Sequence, residues 1–305
     1  MMSPASLRAL LTDSIDYAGL FPPASLELEP ALTNHAHYVR SPDAWMLGVF
    51  VLPVKKFPGL AANLERFDPA TPLCISALGP KTVNAAEFLE ELNLAAEAIR
   101  DFTAKHHAAA RITQIEMALP SEPGATLTGT NRALAGLEIP VFWEAPVDEA
   151  ERTAAFIAER RRTGTGRYGL KLRTGGVIAS AFPSSVQIAR ALIAAMLQGV
   201  PIKFTAGLHH PLRKFHQSVQ TKMHGFLNVL GAGVLAAEHR WDVQQAAAML
   251  EDEDPSSFLF AEEEFAWRDW KISTPRIVLQ RELVTSLGSC SFDEPRQDLR
   301  ALNLF

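Results

Sequence analysis

The sequence predicts a protein of the α/β class, a (β/α)8 TIM barrel with a C-terminal extension, and three observations support this fold. Short apolar runs that end in Gly or Pro recur along the chain, as strands entering loops do. Helical patterns alternate with eight of these runs, which implies parallel strands joined by right-handed crossovers. The alternation covers about 230 residues, close to the usual size of such a barrel. We place the barrel at residues 1–250 and the packed extension at residues 251–305.

The predicted elements follow from these runs in order. Predicted strands occupy residues 14–21, 45–53, 72–80, 112–120, 139–147, 168–176, 201–209 and 224–231. Predicted helices occupy one segment before the first strand and residues 27–39, 60–67, 84–107, 131–137, 148–162, 184–197 and 241–250. Small polar residues at Asp148, Ser184 and Asp242 suit helix starts. A doubly wound open sheet is the alternative, but no GxGxxG motif follows the first strand.

The composition excludes several classes of function. A net charge of −5 gives no electrostatic basis for binding nucleic acid or an anionic membrane. No run approaches about eighteen uninterrupted apolar residues, and the first residues lack the pattern of a secretion signal. The two cysteines, Cys74 and Cys290, have no metal-binding spacing and indicate reduced thiols of a cytoplasmic protein. We expect a small-molecule partner and no cofactor; a homo-oligomer is compatible with the composition.

Two lysines lie inside otherwise apolar strands about thirty residues apart. Lys171 is in Tyr-Gly-Leu-Lys-Leu-Arg-Thr-Gly-Gly, and Lys203 is in Val-Pro-Ile-Lys-Phe-Thr-Ala-Gly-Leu. Lysine is rarely buried without a partner or a function. Two ammonium groups facing one cavity would lower the pKa of at least one of them. A lysine with a lowered pKa can attack a carbonyl and form a Schiff base.

Side chains two residues apart on a strand share a face, so the lysines fix which residues point into the barrel. All inward charged residues lie toward the carboxyl ends of their strands, where barrel active sites are found. The inward set comprises Asp16, Glu116, Glu144, Lys171, Arg173 and Lys203. A structural network of buried ions is one interpretation of this set. A binding or catalytic cavity is the other, and the one we favour.

Four short motifs in order give the chain a resemblance to the deoxyribose-phosphate aldolase family of class I, Schiff-base barrels. That family's first strand reads Ile-Asp-His-Thr-Leu-Leu-Lys-Pro, where residues 15–22 read Ile-Asp-Tyr-Ala-Gly-Leu-Phe-Pro. Its fourth reads Ile-Asp-Met-Val, where residues 115–118 read Ile-Glu-Met-Ala. Its lysine motifs Lys-Thr-Ser-Thr-Gly-Phe and Val-Lys-Ala-Ser-Gly-Gly are similar to residues 171–176 and 202–207. The small-residue, phosphate-binding turn of the family's eighth strand has no visible counterpart.

The resemblance implies an aldolase-like carbon–carbon lyase that acts on a small carbonyl compound. Lys171 would form the Schiff base, and Lys203 would keep its amine neutral by like-charge repulsion. Glu116 and Asp16 would move protons. Substrate contacts are expected from Thr174, Gly175, Gly207, Glu144, Arg173, His209, His210 and Asn228.

Other residues leave alternatives open. Arg173 could clamp a substrate carboxylate or phosphate, or it could pair with Glu144. His209 and His210 could contact substrate on a loop, but the histidines lack convincing metal-ligand spacing, and we predict no metal ligand. The competing functions are a metal-dependent barrel hydrolase or isomerase using the histidines and Glu144, and a barrel that binds a metabolite without turnover.

Overall fold

A computed structural model describes residues 3–82, 84–164 and 166–305, without the side chain of residue 125. Most of its strands line a closed barrel. The strands are β1 Ile15–Tyr17, β2 Leu47–Pro53, β3 Leu73–Leu78, β4 Ala110–Ala118, β5 Val141–Glu144, β6 Tyr168–Arg173, β7 Ile202–Thr205, β8 Lys214–His216, β9 Thr221–Met223, β10 Phe258–Phe260, β11 Glu264–Trp267, β12 Trp270–Ser273 and β13 Val284–Ser289. The barrel consists of β1–β7 and β13, in the order β1-β13-β7-β6-β5-β4-β3-β2, and all its pairs are parallel. The predicted barrel fold is confirmed.

Helices surround the barrel on its outer face. They are α1 Ala5–Leu11, α2 Leu28–Tyr38, α3 Ala85–His106, α4 Pro123–Ala133, α5 Ala150–Thr163, α6 Ser185–Gln198, α7 Phe226–His239, α8 Val243–Glu251, α9 Thr274–Gln280 and α10 Asp293–Ala301. Ser184 and Asp242 begin α6 and α8 with capping boxes, as their residue types predict. The segment predicted as a helix at residues 60–67 is instead a 3-10 turn, Ala61–Arg66. The predicted helix at residues 131–137 is displaced, because α4 begins at Pro123, a favoured first residue.

The prediction of the eighth strand was wrong. Residues 224–231 do not form a strand; Phe226 begins α7, in which every residue from Phe226 to Ala236 is buried. A short apolar run cannot by itself distinguish a buried strand from a buried helix. The strand that closes the barrel is β13, whose polar Thr285 and Ser286 weakened its apolar signal. Its register pairs Leu287 with Ile15 and with Phe204.

The predicted division of the chain is corrected by the same strand. Because β13 and α10 complete the barrel, residues 251–305 are not an appendage to a barrel that ends at residue 250. The segment that departs from the barrel lies between α8 and β13, and it contains the antiparallel sheet β10-β11-β12 and α9. Trp267 and Trp270 pack edge-on against Trp241, and these contacts attach the sheet to the helical layer of the barrel.

One helical segment, Ala179–Gln198, is long and apolar enough to meet a length-and-composition test for a membrane span. Its α6 portion packs against α5, α7 and α8. It also buries Ile188 and Leu192 completely. These contacts account for its apolar composition as that of a barrel helix.

Candidate active site at the carboxyl end of the barrel

A row of alternating acidic and basic side chains, which we call the charged row, crosses the barrel interior. The Lys203 Nζ lies 2.7 Å from Asp16 Oδ2 and 2.5 Å from Glu116 Oε1. The Lys171 Nζ lies 2.7 Å from Glu116 Oε2 and 2.8 Å from Glu144 Oε2. One carboxylate, that of Glu116, therefore bridges both ammonium groups.

Strand register produces this arrangement. Lys171 is the direct neighbour of Lys203 on β7 and of Glu144 on β5. Alternation along the parallel strands directs these side chains inward, while Leu170 and Leu172 face the helices. The inward direction predicted from the sequence is confirmed.

The Asp16 end of the charged row is buried and its charges are paired, and we call it the closed end. The Oδ1 of Asp16 accepts the backbone N–H of Val49 at 3.0 Å, and its Oδ2 accepts the hydroxyl of Ser286 at 2.8 Å and the amide of Gln114 at 3.3 Å. The Lys203 side chain is only 1% exposed. Every charge at this end is thus paired away from solvent, as buried charges must be.

The opposite end of the charged row, the open end, borders a cavity of about 470 Å³ at the carboxyl ends of the strands. The Lys171 side chain is 10% exposed and that of Glu144 is 28% exposed. Around them the wall combines apolar, small and basic residues. Its other lining residues include Phe21, Pro22, Pro23, Lys81, Met117, Arg173, Val177, Thr205, Gly207, His209 and Cys290.

The electrostatics of the two lysines correct one prediction. Burial alone would lower the pKa of Lys171, but contact with Glu116 and Glu144 outweighs burial and raises it. The pKa of Lys203 is likewise raised, because Asp16 and Glu116 outweigh its burial. These raised pKa values do not support the expectation that Lys203 keeps the Lys171 amine neutral by like-charge repulsion.

The predicted site residues divide into two groups. Those that line the cavity are Glu116, Glu144, Lys171, Arg173, Gly207 and His209. Those that lie outside its lining are Asp16, Lys203, Thr174, Gly175, His210 and Asn228. Lys203 still contacts the lining residue Glu116, and Asp16 contacts Lys203, so both belong to the charged row.

The other four residues outside the lining have identifiable structural contacts. The Thr174 hydroxyl donates to the carbonyl of Ala206 at 2.7 Å, so it is engaged by the loop after β7. Gly175 packs so closely on Gly207 that a Cβ at position 175 would lie 3.0 Å from the Gly207 Cα. The predicted substrate contacts by Thr174 and Gly175 are not supported, because both residues hold adjoining loops together.

Asn228 and His210 are also engaged elsewhere. The Asn228 amide donates to the carbonyls of Met249 and Asp252 at 2.7 and 2.8 Å. The Nδ1 of His210 pairs with Asp298 Oδ2 at 2.6 Å, and His210 does not line the cavity. Asn228 stabilises the end of α8, and neither residue is available to the cavity contents.

Free basic groups complete the cavity wall. Arg173 is exposed and makes no ion pair with any described residue, so the predicted alternative of an Arg173–Glu144 pair is wrong. Lys81 is also exposed and unpaired within the described part of the chain. An unpaired guanidinium at a cavity mouth suits a carboxylate or phosphate.

His209 adds a third basic group. Its Nδ1 lies 3.3 Å from Glu294 Oε2 and 3.9 Å from the Cys290 Sγ. Burial would lower the pKa of His209, but hydrogen bonds with Cys290 and Glu294 raise it to about 9. Sequence reasoning missed Cys290, Glu294 and Lys81 as neighbours of the site. Cys290 directly follows β13 and Glu294 lies in the first turn of α10, so a correct eighth strand would have indicated both.

Together these observations define a class of protein: a (β/α)8 barrel whose charged row borders a cavity at its open end. Basic groups that make no ion pair with any described residue also line this cavity. No protein-family model and no curated protein sequence matches the chain.

Proposed function

We propose that this protein is a class I aldolase-like lyase, which acts on a small carbonyl compound through a Schiff base at Lys171. One observation carries the proposal: the Lys171 amine lies at the cavity wall with two carboxylates at 2.7 and 2.8 Å. Either carboxylate can accept the proton that an ammonium must lose before it can attack a carbonyl. The resemblance of four short motifs between residues 15 and 207 to the deoxyribose-phosphate aldolase family supports the same reaction.

The reaction begins when the neutral Lys171 amine attacks the carbonyl carbon, and loss of water then leaves an iminium cation. Removal of a proton from the substrate's β-hydroxyl breaks the adjacent carbon–carbon bond. The electron pair of that bond moves toward the iminium nitrogen, which releases an aldehyde and leaves an enamine. Protonation of the enamine carbon and hydrolysis restore the lysine.

Glu144 is the proposed acid and base for these proton transfers. Its side chain is partly exposed, lines the cavity and contacts Lys171 directly. Glu116 is the alternative acceptor, but its two oxygens already bind both lysines, and its Oε1 accepts the Ser76 hydroxyl at 2.6 Å. Asp16 and Lys203 do not line the cavity, so we assign both a positioning role.

The proposed substrate carries an anionic group. Arg173 and Lys81 line the cavity without an ion pair to any described residue, so an oxyanion can bind them without breaking an existing pair. The backbone of Gly207 has a φ of +76°, a conformation that favours glycine. A Cβ at this position would lie 3.0 Å from the Gly175 Cα and would crowd the cavity wall. These features favour a short, anionic aldehyde or ketone.

The test is borohydride trapping with a panel of aldehydes and ketones, both neutral and anionic, followed by peptide mass mapping. We expect reduced adduct on the peptide that contains Lys171, and more with anionic than with neutral compounds. Lys171→Leu should abolish the adduct. The matched control is Lys105→Leu, which removes an exposed lysine outside the cavity and should leave the Lys171 adduct in place.

The pH dependence provides a second measurement. Because contact with carboxylates raises the pKa of Lys171, trapping should still be increasing with pH at the alkaline end of the protein's stable range. Lys203→Leu should move the profile further toward alkaline pH, since Glu116 then faces one cation instead of two.

Adduct confined to Lys81, or no adduct across the panel, would contradict the proposal. The competing hydrolase or isomerase would use the histidines and Glu144, but the Glu144 carboxylate already contacts the Lys171 ammonium. Tight binding of an anionic carbonyl compound with no adduct would instead favour a barrel that binds a metabolite without turnover.

A further inference from the structure

Three side chains outside the cavity come together at the rim of the barrel mouth. We call His210, His216 and Glu294 the rim cluster; one potential ligand atom from each lies within 4.8 Å of the others. His210 follows β7, His216 ends β8 of the β8–β9 hairpin, and Glu294 lies in the first turn of α10. Three separate chain segments therefore converge on one point.

The two histidines are oriented by hydrogen bonds on one ring nitrogen each. The Nδ1 of His210 contacts Asp298 Oδ2 at 2.6 Å, and the Nδ1 of His216 contacts the Ser218 hydroxyl at 2.8 Å. A carboxylate on one nitrogen of a histidine is the usual outer partner of a metal-binding imidazole, because it fixes the ring and makes the other nitrogen more basic. Asp298 is four residues after Glu294, so α10 presents both carboxylates on one face.

The remaining nitrogen of His210 provides an independent indication of a ligand. Its Nε2 is buried and has no hydrogen-bond partner among the described residues, although the side chain is only 5% exposed. A buried polar atom without a partner is costly, and an ion can supply the missing interaction. The His216 ring stacks on the His210 ring with centroids 5.3 Å apart, which keeps the second imidazole beside this atom.

We propose that the rim cluster binds a divalent first-row transition metal ion through His210 Nε2, His216 Nε2 and the Glu294 carboxylate. Two imidazoles and one carboxylate form a donor set suited to zinc, and they leave a coordination position for water. Glu294 has two oxygens, so it can keep its contact with His209 through Oε2 while the other binds the ion.

The potential ligand atoms of the rim cluster are near one another but more widely spaced than in a bound site. In tetrahedral coordination, two atoms held by one ion at about 2.0–2.1 Å lie about 3.4 Å apart. The ligand atoms of the rim cluster lie within 4.8 Å of one another, so the side chains must draw together by up to about 1.4 Å. The half-buried His216 and the Glu294 side chain, 41% exposed, have room for this rotation and give the ion access from solvent.

The experiment uses the full chain, purified without a polyhistidine tag and treated with a chelator. Zn²⁺ is titrated calorimetrically, and Co²⁺ is added separately to record its visible absorption. We expect one equivalent of Zn²⁺ per chain. His216→Ala and Glu294→Gln should each weaken binding at least tenfold, and Asp298→Asn should weaken it about 10–100-fold through His210.

His107→Ala is the matched control, because it removes an exposed histidine at the end of α3 and should bind Zn²⁺ as the native chain does. Circular dichroism of each variant establishes that the barrel is folded. The Co²⁺ absorption should persist in His107→Ala and disappear in His216→Ala. Less than one equivalent of Zn²⁺ in the native chain, or native affinity in folded His216→Ala, would overturn the site. This outcome is independent of adduct formation at Lys171.

Discussion

Lys203 and Lys171 are neighbours on adjacent strands, and each contacts two carboxylates at 2.5–2.8 Å. Their surroundings differ. Lys203 is 1% exposed and its partner Asp16 also accepts hydrogen bonds from Val49 and Ser286, whereas Lys171 borders a cavity and its partner Glu144 is 28% exposed. A buried ion pair alone therefore does not define a reactive site. At the closed end the lysine–carboxylate pairs position side chains. At the open end the same kind of pair is accessible to a ligand.

The largest expected effect comes from breaking the closed end. Lys203→Met keeps the length of the side chain but leaves Asp16 and Glu116 without the cation they share. Removing one partner of a buried ion pair typically costs about 3–5 kcal/mol of unfolding free energy. Denaturant unfolding at neutral pH measures this cost. The exposed Lys81→Met should change stability by no more than about 0.5 kcal/mol. A loss below about 1 kcal/mol for Lys203→Met would show that the closed end is not held by its charges.

The second prediction tests the carboxylate that joins the two ends. Burial would raise the pKa of Glu116, but Lys171 and Lys203 outweigh it and hold this pKa well below its usual range. A depressed carboxyl pKa contributes stability above the unfolded value of about 4.3, and that stability is lost as the pH falls below it. At pH 3 the loss from this one group is about 2 kcal/mol.

Glu116→Gln removes that titration while keeping the shape of the side chain. The variant should be less stable at neutral pH, yet its stability should decline less steeply between pH 4.3 and 3 than that of the native chain. Denaturant unfolding at a series of pH values gives both slopes. Equal slopes would mean that Glu116 is not held ionised by the lysines.

His35 provides the opposite case, a buried base without a carboxylate. It belongs to an HxH pattern in α2, is 1% exposed, and packs among Tyr17, Phe50 and Phe67. Burial lowers its pKa to about 3. The unfolded state therefore binds the proton first, and stability falls as the pH decreases from about 6.5 toward 3.

The expected loss at pH 5.5 is about 1.4 kcal/mol relative to pH well above 6.5. His35→Phe fits an aromatic surrounding and cannot titrate, so its stability should be flat over this window. The difference between native and variant stabilities, measured from pH 7.5 to 5, isolates the histidine. A native profile as flat as that of the variant would contradict the lowered pKa.

The sequence predicted the barrel better than it predicted the edges of the site. Period-two alternation around Lys171, Lys203 and Glu116 was enough to direct their side chains inward, because strand geometry leaves little choice. It could not determine that carboxylates would outweigh like-charge repulsion between the lysines. That balance depends on distances across strands, which the order of residues does not contain.

The misplaced eighth strand had a further consequence. The apolar run before Gly231 belongs to a helix buried on all sides, and such a helix lacks the polar stripe that reveals helical periodicity. Because Val284–Ser289 was not recognised, Cys290 and Glu294 were not placed at the barrel mouth. Ser286, which binds Asp16, was missed for the same reason.

The smallest expected effect on stability comes from breaking the open end. Lys171→Met leaves Glu116 with Lys203 and the Ser76 hydroxyl, and leaves Glu144 partly solvated at the cavity. Neither carboxylate is then both buried and unpaired, so we expect a loss of about 1 kcal/mol by denaturant unfolding. That is less than half the loss expected for Lys203→Met, although Lys171→Met should abolish adduct formation completely. Equal losses for the two variants would mean that Lys171 is as much a part of the closed core as Lys203, and the distinction between the two ends would fail.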